Sequence, residues 1–339
     1  MPIIHKPDNN PLNMQQMINM PARFVPSFRV CAAAEKGAKN NLLLRLHGGL
    51  GDIVCAEPSV RYALNHFKDV KISLVTLYPG LFQHLKFEKV FTPENIAEMK
   101  PDEYLLFDSV DTSNELAAEF IAHTLMHGID YGSLYMWRMI LPNAEKEIML
   151  VPSEQERAKA SSISQPNDVL IHPGKTWKTR TFPKRWWDEV IQRVSEGGGR
   201  PVIIGGDIDA GRANTIDVNI PPNGIDLRFK LSLMESVALM QASKVLLTND
   251  SAPLHMATPG DTWIGFVSTV KHPDHMYTLR KGVFGWRMQD FSLGRMYNEI
   301  DVCPNKNEAV RVDECDILDL LKWLPEPKIL TDWALDKLK

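Results

Sequence analysis

Thr248-Asn249-Asp250-Ser251-Ala252-Pro253-Leu254-His255-Met256-Ala257 follows directly on Lys244-Val245-Leu246-Leu247, which reads as a buried strand delivering the start of a helix. The first N–H groups of a helix have no internal partner and lie at the positive end of its dipole, so they attract anions. Asp250 or Ser251 is expected to cap this helix. The backbone of Ser251, Ala252 and Leu254 and the ring of His255 are the candidate phosphate contacts, whereas Pro253 has no N–H to offer. An ordinary capped helix behind a buried strand carries the same signals.

Two further segments share this layout. Val169-Leu170-Ile171-His172-Pro173-Gly174 runs into a basic loop containing Lys175, Thr176, Lys178 and Arg180, and Asn41 to Leu46 runs into His47-Gly48-Gly49-Leu50-Gly51-Asp52. All three places are the carboxyl ends of predicted strands, where open α/β sheets bind ligands. The hydroxyl of Thr176 suits either a phosphate or a plain turn. Lys184 and Arg185 read as a solvated helix start.

Working outward, strands and helices alternate along most of the chain. The first half reads as strand 42–46, helix 53–67, strand 71–77, strand 104–107 and helix 114–127. Pro142, Pro152 and Pro166 then punctuate a polar connector. The second half reads as strand 168–172, helix 186–196, strand 201–204, helix 233–242, strand 244–248 and strand 262–267. Such alternation predicts an α/β protein with a mainly parallel sheet in each half. The expected divisions are an irregular arm over 1–40, an α/β domain over 41–150, a second over 151–312, and amphipathic helices over 313–339.

Composition narrows the classes. A chain of 339 residues, 44% hydrophobic and 24% charged, has room for two globular cores. A net charge of −4 argues against a wholly basic nucleic-acid binder. Cys31, Cys55, Cys303 and Cys315 lack metal spacing and suit a reduced, cytoplasmic protein. No membrane-length apolar run or signal-peptide core stands out.

Several sharper motifs fail. Gly49-Leu50-Gly51 begins like a dinucleotide fingerprint, but Val54 occupies the third glycine position. Gly174-Lys175-Thr176 ends like a phosphate-binding loop, but Val169 stands where the first glycine belongs. Asp207-Ile208-Asp209 has the spacing of a metal-holding aspartate pair, yet it follows Gly205-Gly206 in the second half and suits a nucleotide-binding loop or a solvated turn. The histidines form no metal-ligand pattern.

Five motifs in order resemble the inverting glycosyltransferases typified by the heptosyltransferases of lipopolysaccharide synthesis, glycosyltransferase family 9. They are Gly51-Asp52 with Glu57-Pro58; His172-Pro173-Gly174 with Arg180 and Phe182-Pro183; Val202-Ile203-Ile204-Gly205-Gly206; Leu231-Ser232-Leu233; and Asn249 to His255. The resemblance implies a GT-B architecture: two Rossmann-like domains facing across a cleft, with no metal and no cofactor beyond a nucleotide-diphosphate sugar as donor substrate. It implies Asp52 as the base and Arg180 as the cation on the leaving diphosphate, with Gly49 and Gly51 on the acceptor side. It further implies Leu231 near the nucleotide base and Asp207 or Asp209 near the ribose. Aspartate caps helices often, so a capping role for Asp52 stands beside the catalytic one. Glu57 reads as packed or hydrogen bonded in its helix, and Ser232 as the N-cap of the helix containing Glu235.

The chain departs from common family sequences after Ala257, and 277–288 is rich in aromatic and basic residues. The default acceptor is an envelope saccharide, on the inner membrane face if lipid-linked. Three alternatives stay open. One is a bacteriophage enzyme glycosylating a hydroxymethylated base of DNA in the host cytoplasm. The others are a non-catalytic sugar-nucleotide binder and a GT-B epimerase.

Overall fold

The computed structural model describes residues 41–46, 49–66, 70–99, 104–108, 147–175, 180–206, 215–268, 283–287 and 324–339. The arm over 1–40 and the predicted helix 114–127 lie outside them, as does all but the last residue of the predicted helix 313–324. The chain divides into two units, Met1–Val151 and Pro152–Lys339. Each is an α/β layer built on a wholly parallel sheet.

The first unit comprises β1 (Asn41–Arg45), α1 (Leu50–His66), β2 (Lys71–Val75), β3 (Val90–Phe91) and β4 (Leu105–Asp108), with strand order β3-β2-β1-β4. Leu42, Leu43 and Leu44 are all buried, because β1 lies inside the sheet and both of its faces are covered. Helix α1 begins three residues earlier than its apolar pattern predicts. Gly49 precedes it, and the carboxylate of Asp52 accepts the Gly49 N–H at 2.8 Å, so Gly51 and Asp52 belong to the first helical turn. Glu57 on α1 is fully buried. It accepts from Arg61 Nε at 2.8 Å and from the Met149 N–H at 2.8 Å, with His84 Nε2 at 3.1 Å. The packed reading of Glu57 holds, and its reach extends well beyond its own helix.

The second unit begins with α2 (Glu154–Ile163), a helix inside the segment read as a polar connector. Ser153 and Glu156 form a full capping box at its start, the Ser-x-x-Glu signal that marks a helix N-terminus. Then come β5 (Asp168–His172), α3 (Lys184–Glu196), β6 (Arg200–Ile203), β7 (Ile225–Asp226), α4 (Leu233–Ala242), β8 (Val245–Asn249), α5 (Ala252–Met256), β9 (Trp263–Ser268), β10 (Val283–Arg287) and α6 (Pro327–Leu338). The strand order is β10-β9-β8-β5-β6-β7. Three successive strands run outward one way from β5 and three run the other way from β8, so the direction of winding reverses between β5 and β8. That reversal opens a crevice at the carboxyl ends of the two strands.

Residues 283–287, read only as aromatic and basic, form the edge strand β10, pairing in parallel with β9 from Val283↔Ile264 to Arg287↔Ser268. Helix α6 packs within the second unit, where Leu330 and Ala334 join the cluster of Val169, Ile171, Trp187 and Val190. The cluster is dense in aromatics. Phe182 stacks on Trp187 at 5.8 Å and meets Trp186 edge-on at 5.3 Å, while Trp186 Nε1 donates to the Pro325 carbonyl at 3.0 Å. Helix α3 is thereby pinned at the end nearest the basic loop. Among the described residues no helix is long and apolar enough to cross a membrane.

At the amino-terminal ends of β5 and β6 Asp168 is buried against Arg200, whose Nη2 donates to Asp168 Oδ2 at 2.8 Å and to the Ile163 carbonyl at 2.8 Å. Removing one member of such a pair strands a buried charge. Arg200→Ala is therefore expected to lower unfolding stability by about 3 kcal/mol in a urea titration, and Arg200→Met with Asp168→Leu to recover most of it. Equal stability of the single variant and wild type would show that the pair is solvated in practice.

Candidate functional site

The crevice between β5 and β8 is lined by buried polar groups. His172, the last residue of β5, is buried with its Nδ1 at 3.1 Å from Ser251 Oγ and 3.3 Å from Thr248 Oγ1. The two hydroxyls lie 3.1 Å apart. Asn249, the last residue of β8, donates from Nδ2 to the Gly174 carbonyl at 3.2 Å and to the Arg180 carbonyl at 2.5 Å. One carboxamide thus holds both described ends of the basic loop. Gly174 is required by this approach, since a Cβ there would run into Asn249 Oδ1 and come within 2.8 Å of His172 Cε1.

Charge at the site is partly spoken for. Arg180 Nε lies 3.3 Å from Asp250 Oδ2, and Asp250 is only 2% exposed. The guanidinium expected to meet a phosphate is thus oriented by a buried carboxylate. Asp250 is turned toward Arg180 and does not offer its side chain to solvent. Lys175 is exposed, while Thr176, Lys178, Asp207 and Asp209 lie outside the described residues.

The predicted anion helix is shorter and differently capped than its sequence suggests. Helix α5 spans five residues, with Ser251 at the N-cap, but no side-chain capping bond forms because the Ser251 hydroxyl is committed to His172 and Thr248. The Leu254 N–H already donates to the Ser251 carbonyl at 3.1 Å. Leu254 and His255 are buried. Leu231 is buried as well, next to Ser232, which caps α4 in a complete box with Glu235. Asp52, Gly49 and Gly51 belong to the other unit, at the start of α1. Among the described residues no three His, Cys, Asp or Glu side chains gather as a metal site.

Sequence reading missed His172, Thr248 and Asn249 as site builders, although all three stand inside the quoted motifs. Their position at strand termini, immediately after buried apolar runs, was the available signal.

The second unit is a doubly wound α/β layer whose sheet reversal leaves a crevice of the kind that binds ligands. Residues 115–262, less than half of the chain, match the model of the family described as glycosyltransferase family 9 (heptosyltransferase), the family that the motifs resemble. That region contains the β5 and β8 motifs and does not reach Asp52. Among solved structures the chain is similar to a family 9 glycosyl transferase of Veillonella parvula, with 13% identity, a TM-score of 0.59 and coverage of 88% of this chain and 97% of that one. It is similar to the ADP-heptose lipopolysaccharide heptosyltransferase II of E. coli at 15% identity and a TM-score of 0.51, covering 83% and 99%. A third is the dodecameric iron-containing heptosyltransferase TibC of enterotoxigenic E. coli, solved with ADP-D-beta-D-heptose, at 18% identity and a TM-score of 0.57, covering 88% and 78%. No curated protein matches the chain. At these identities the structures speak to the fold alone.

Burial pulls the pKa of His172 down from 6.5 to about 4, against an opposing contribution from the Asn249 side chain. Between those two values the unfolded chain binds a proton that the folded chain refuses, so stability rises with pH across that window. The contribution is complete above pH 6.5 and is lost as pH falls toward 4; for a shift of this size it amounts to about 3 kcal/mol. Melting temperatures measured from pH 4.5 to 7 should fall less steeply on the acid side in His172→Gln than in wild type. Parallel curves would mean that His172 is not held neutral.

Proposed function

We propose that the protein transfers a sugar from a nucleotide-diphosphate donor to an acceptor hydroxyl, with inversion and without a metal ion. The observation that carries this reading is the crevice at the reversal of the second sheet, where Asn249 closes the basic loop beside Arg180 and the N–H groups of Ser251 and Ala252. A diphosphate fits this chemistry: backbone N–H groups take its oxygens, and Arg180 with Lys175 balances its charge. The solved heptosyltransferases, one with ADP-heptose in its name and one bound to it, support an adenine nucleotide as the first donor to try.

In the proposed reaction the acceptor oxygen attacks the anomeric carbon while the bond to the diphosphate breaks on the opposite face. Asp52 takes the acceptor proton, by its resemblance to the family base. Negative charge grows on the leaving diphosphate, and a cation already oriented by Asp250 stabilises it without reorganising. An envelope saccharide is the proposed acceptor.

Asp52→Asn should reduce transfer by about 10² to 10⁴ while ADP affinity changes little. The carboxamide can still accept the Gly49 N–H, so the helix start is preserved and a loss of rate reports on the proton. Near-normal turnover would assign Asp52 to the cap alone. Transfer is expected to persist in enzyme stripped by a chelator; activity that returned only with added metal would overturn the metal-free mechanism.

A further inference from the structure

Phe229 stands in a turn that backbone sterics would give to another residue. Lys230 N–H donates to the Leu227 carbonyl at 3.1 Å, closing a four-residue turn with Phe229 in its third place. Its φ is 58°, the left-handed region that favours Gly and Asn and costs a bulky side chain free energy. Nor does burial explain the residue, because Phe229 is 36% exposed. Its ring lies against Gly206, where φ is +72° and an added Cβ would come within 2.5 to 2.8 Å of three ring atoms. The Phe229 N–H donates to the Gly205 carbonyl at 3.1 Å, fixing the turn to the chain leaving β6. A strained, partly exposed aromatic braced on glycine backbone at the carboxyl edge of a parallel sheet calls for a ligand.

We infer that Phe229 is the stacking platform for the nucleobase of the donor. This rests on the sugar-nucleotide reading above and adds the residue that selects for a base. The groups along the edge come in the right order: Ser251 touches His172, a Cβ on Gly205 would lie 3.0 Å from His172 Cδ2, and Gly206 leads to the Phe229 ring. From β8 to β7 this row crosses three strand spacings, about 14 Å, which suits an extended nucleoside diphosphate. With the diphosphate at the β5/β8 reversal, the nucleoside falls on the β6 side, where doubly wound nucleotide sites place the ribose. Base–aromatic stacking tolerates different bases, so the platform contributes affinity for a base as such.

The test is equilibrium binding to the full chain of ADP, UDP and base-free pyrophosphate, in wild type, Phe229→Asn and Phe229→Tyr, with a melting curve for each. Asn suits the turn but removes the ring; Tyr keeps the ring. Phe229→Asn is expected to weaken ADP about tenfold, leave pyrophosphate within about twofold, and melt no lower than wild type, while Phe229→Tyr binds ADP like wild type. Undiminished ADP affinity in Phe229→Asn would overturn the platform, as would an equal loss for pyrophosphate. A clearly lower melting temperature with unchanged ADP affinity would make the ring a packing element and overturn it too. Failure of wild type to bind any of the three ligands would overturn the donor reading itself, whereas ring-independent ADP binding leaves that reading standing.

Discussion

The candidate site depends on the carboxamide of Asn249. Where the second sheet reverses its winding, β5 and β8 lie side by side and the chain beyond β5 must return to the core at Phe182. Two N–H bonds from one side chain fix the loop carbonyls at Gly174 and Arg180. Asn249 is buried, so water does not compete for these bonds, and the residues next to those carbonyls are held in place. The neighbouring His172, Thr248 and Ser251 form a second polar layer whose mutual bonds leave little freedom. A buried polar network of this kind is worth most when it is satisfied, and it then specifies one geometry.

This dependence explains which features could be read in advance. Strand 168–172 and helix 233–242 carry their own boundaries, as a continuous apolar run and a Ser-x-x-Glu cap, and both are observed as read. The two-residue strand β7 has too few positions to show a period, and β10 is defined by its pairing with β9. Helix α2 was legible at Ser153 and Glu156, but the surrounding prolines drew the reading toward a connector.

At the site, the residue types were legible and their partners were not. Nothing local announces that Arg180 meets Asp250, seventy residues on, or that the Ser251 hydroxyl prefers His172 to its own helix. Asp52 was legible both as a cap and as a base because a first-turn carboxylate next to a glycine suits either. Asp52 lies inside the first turn and its carboxylate accepts from the Gly49 N–H, the reciprocal half of a capping box and not an N-cap, which leaves its chemistry open.

The neighbours across the reversal point are remote in the chain: the Thr248 and His172 contact spans 76 positions, and that of Asn249 with Gly174 spans 75. Contacts this distant require a large loop to close before they return any stabilisation, which makes them slow to form. The crevice is therefore expected to form late in folding, once β8 docks beside β5. A chain arrested before that step would have its β5 and α3 segments but no crevice, so ligand capture would mark the arrival of β8 rather than collapse of the hydrophobic core.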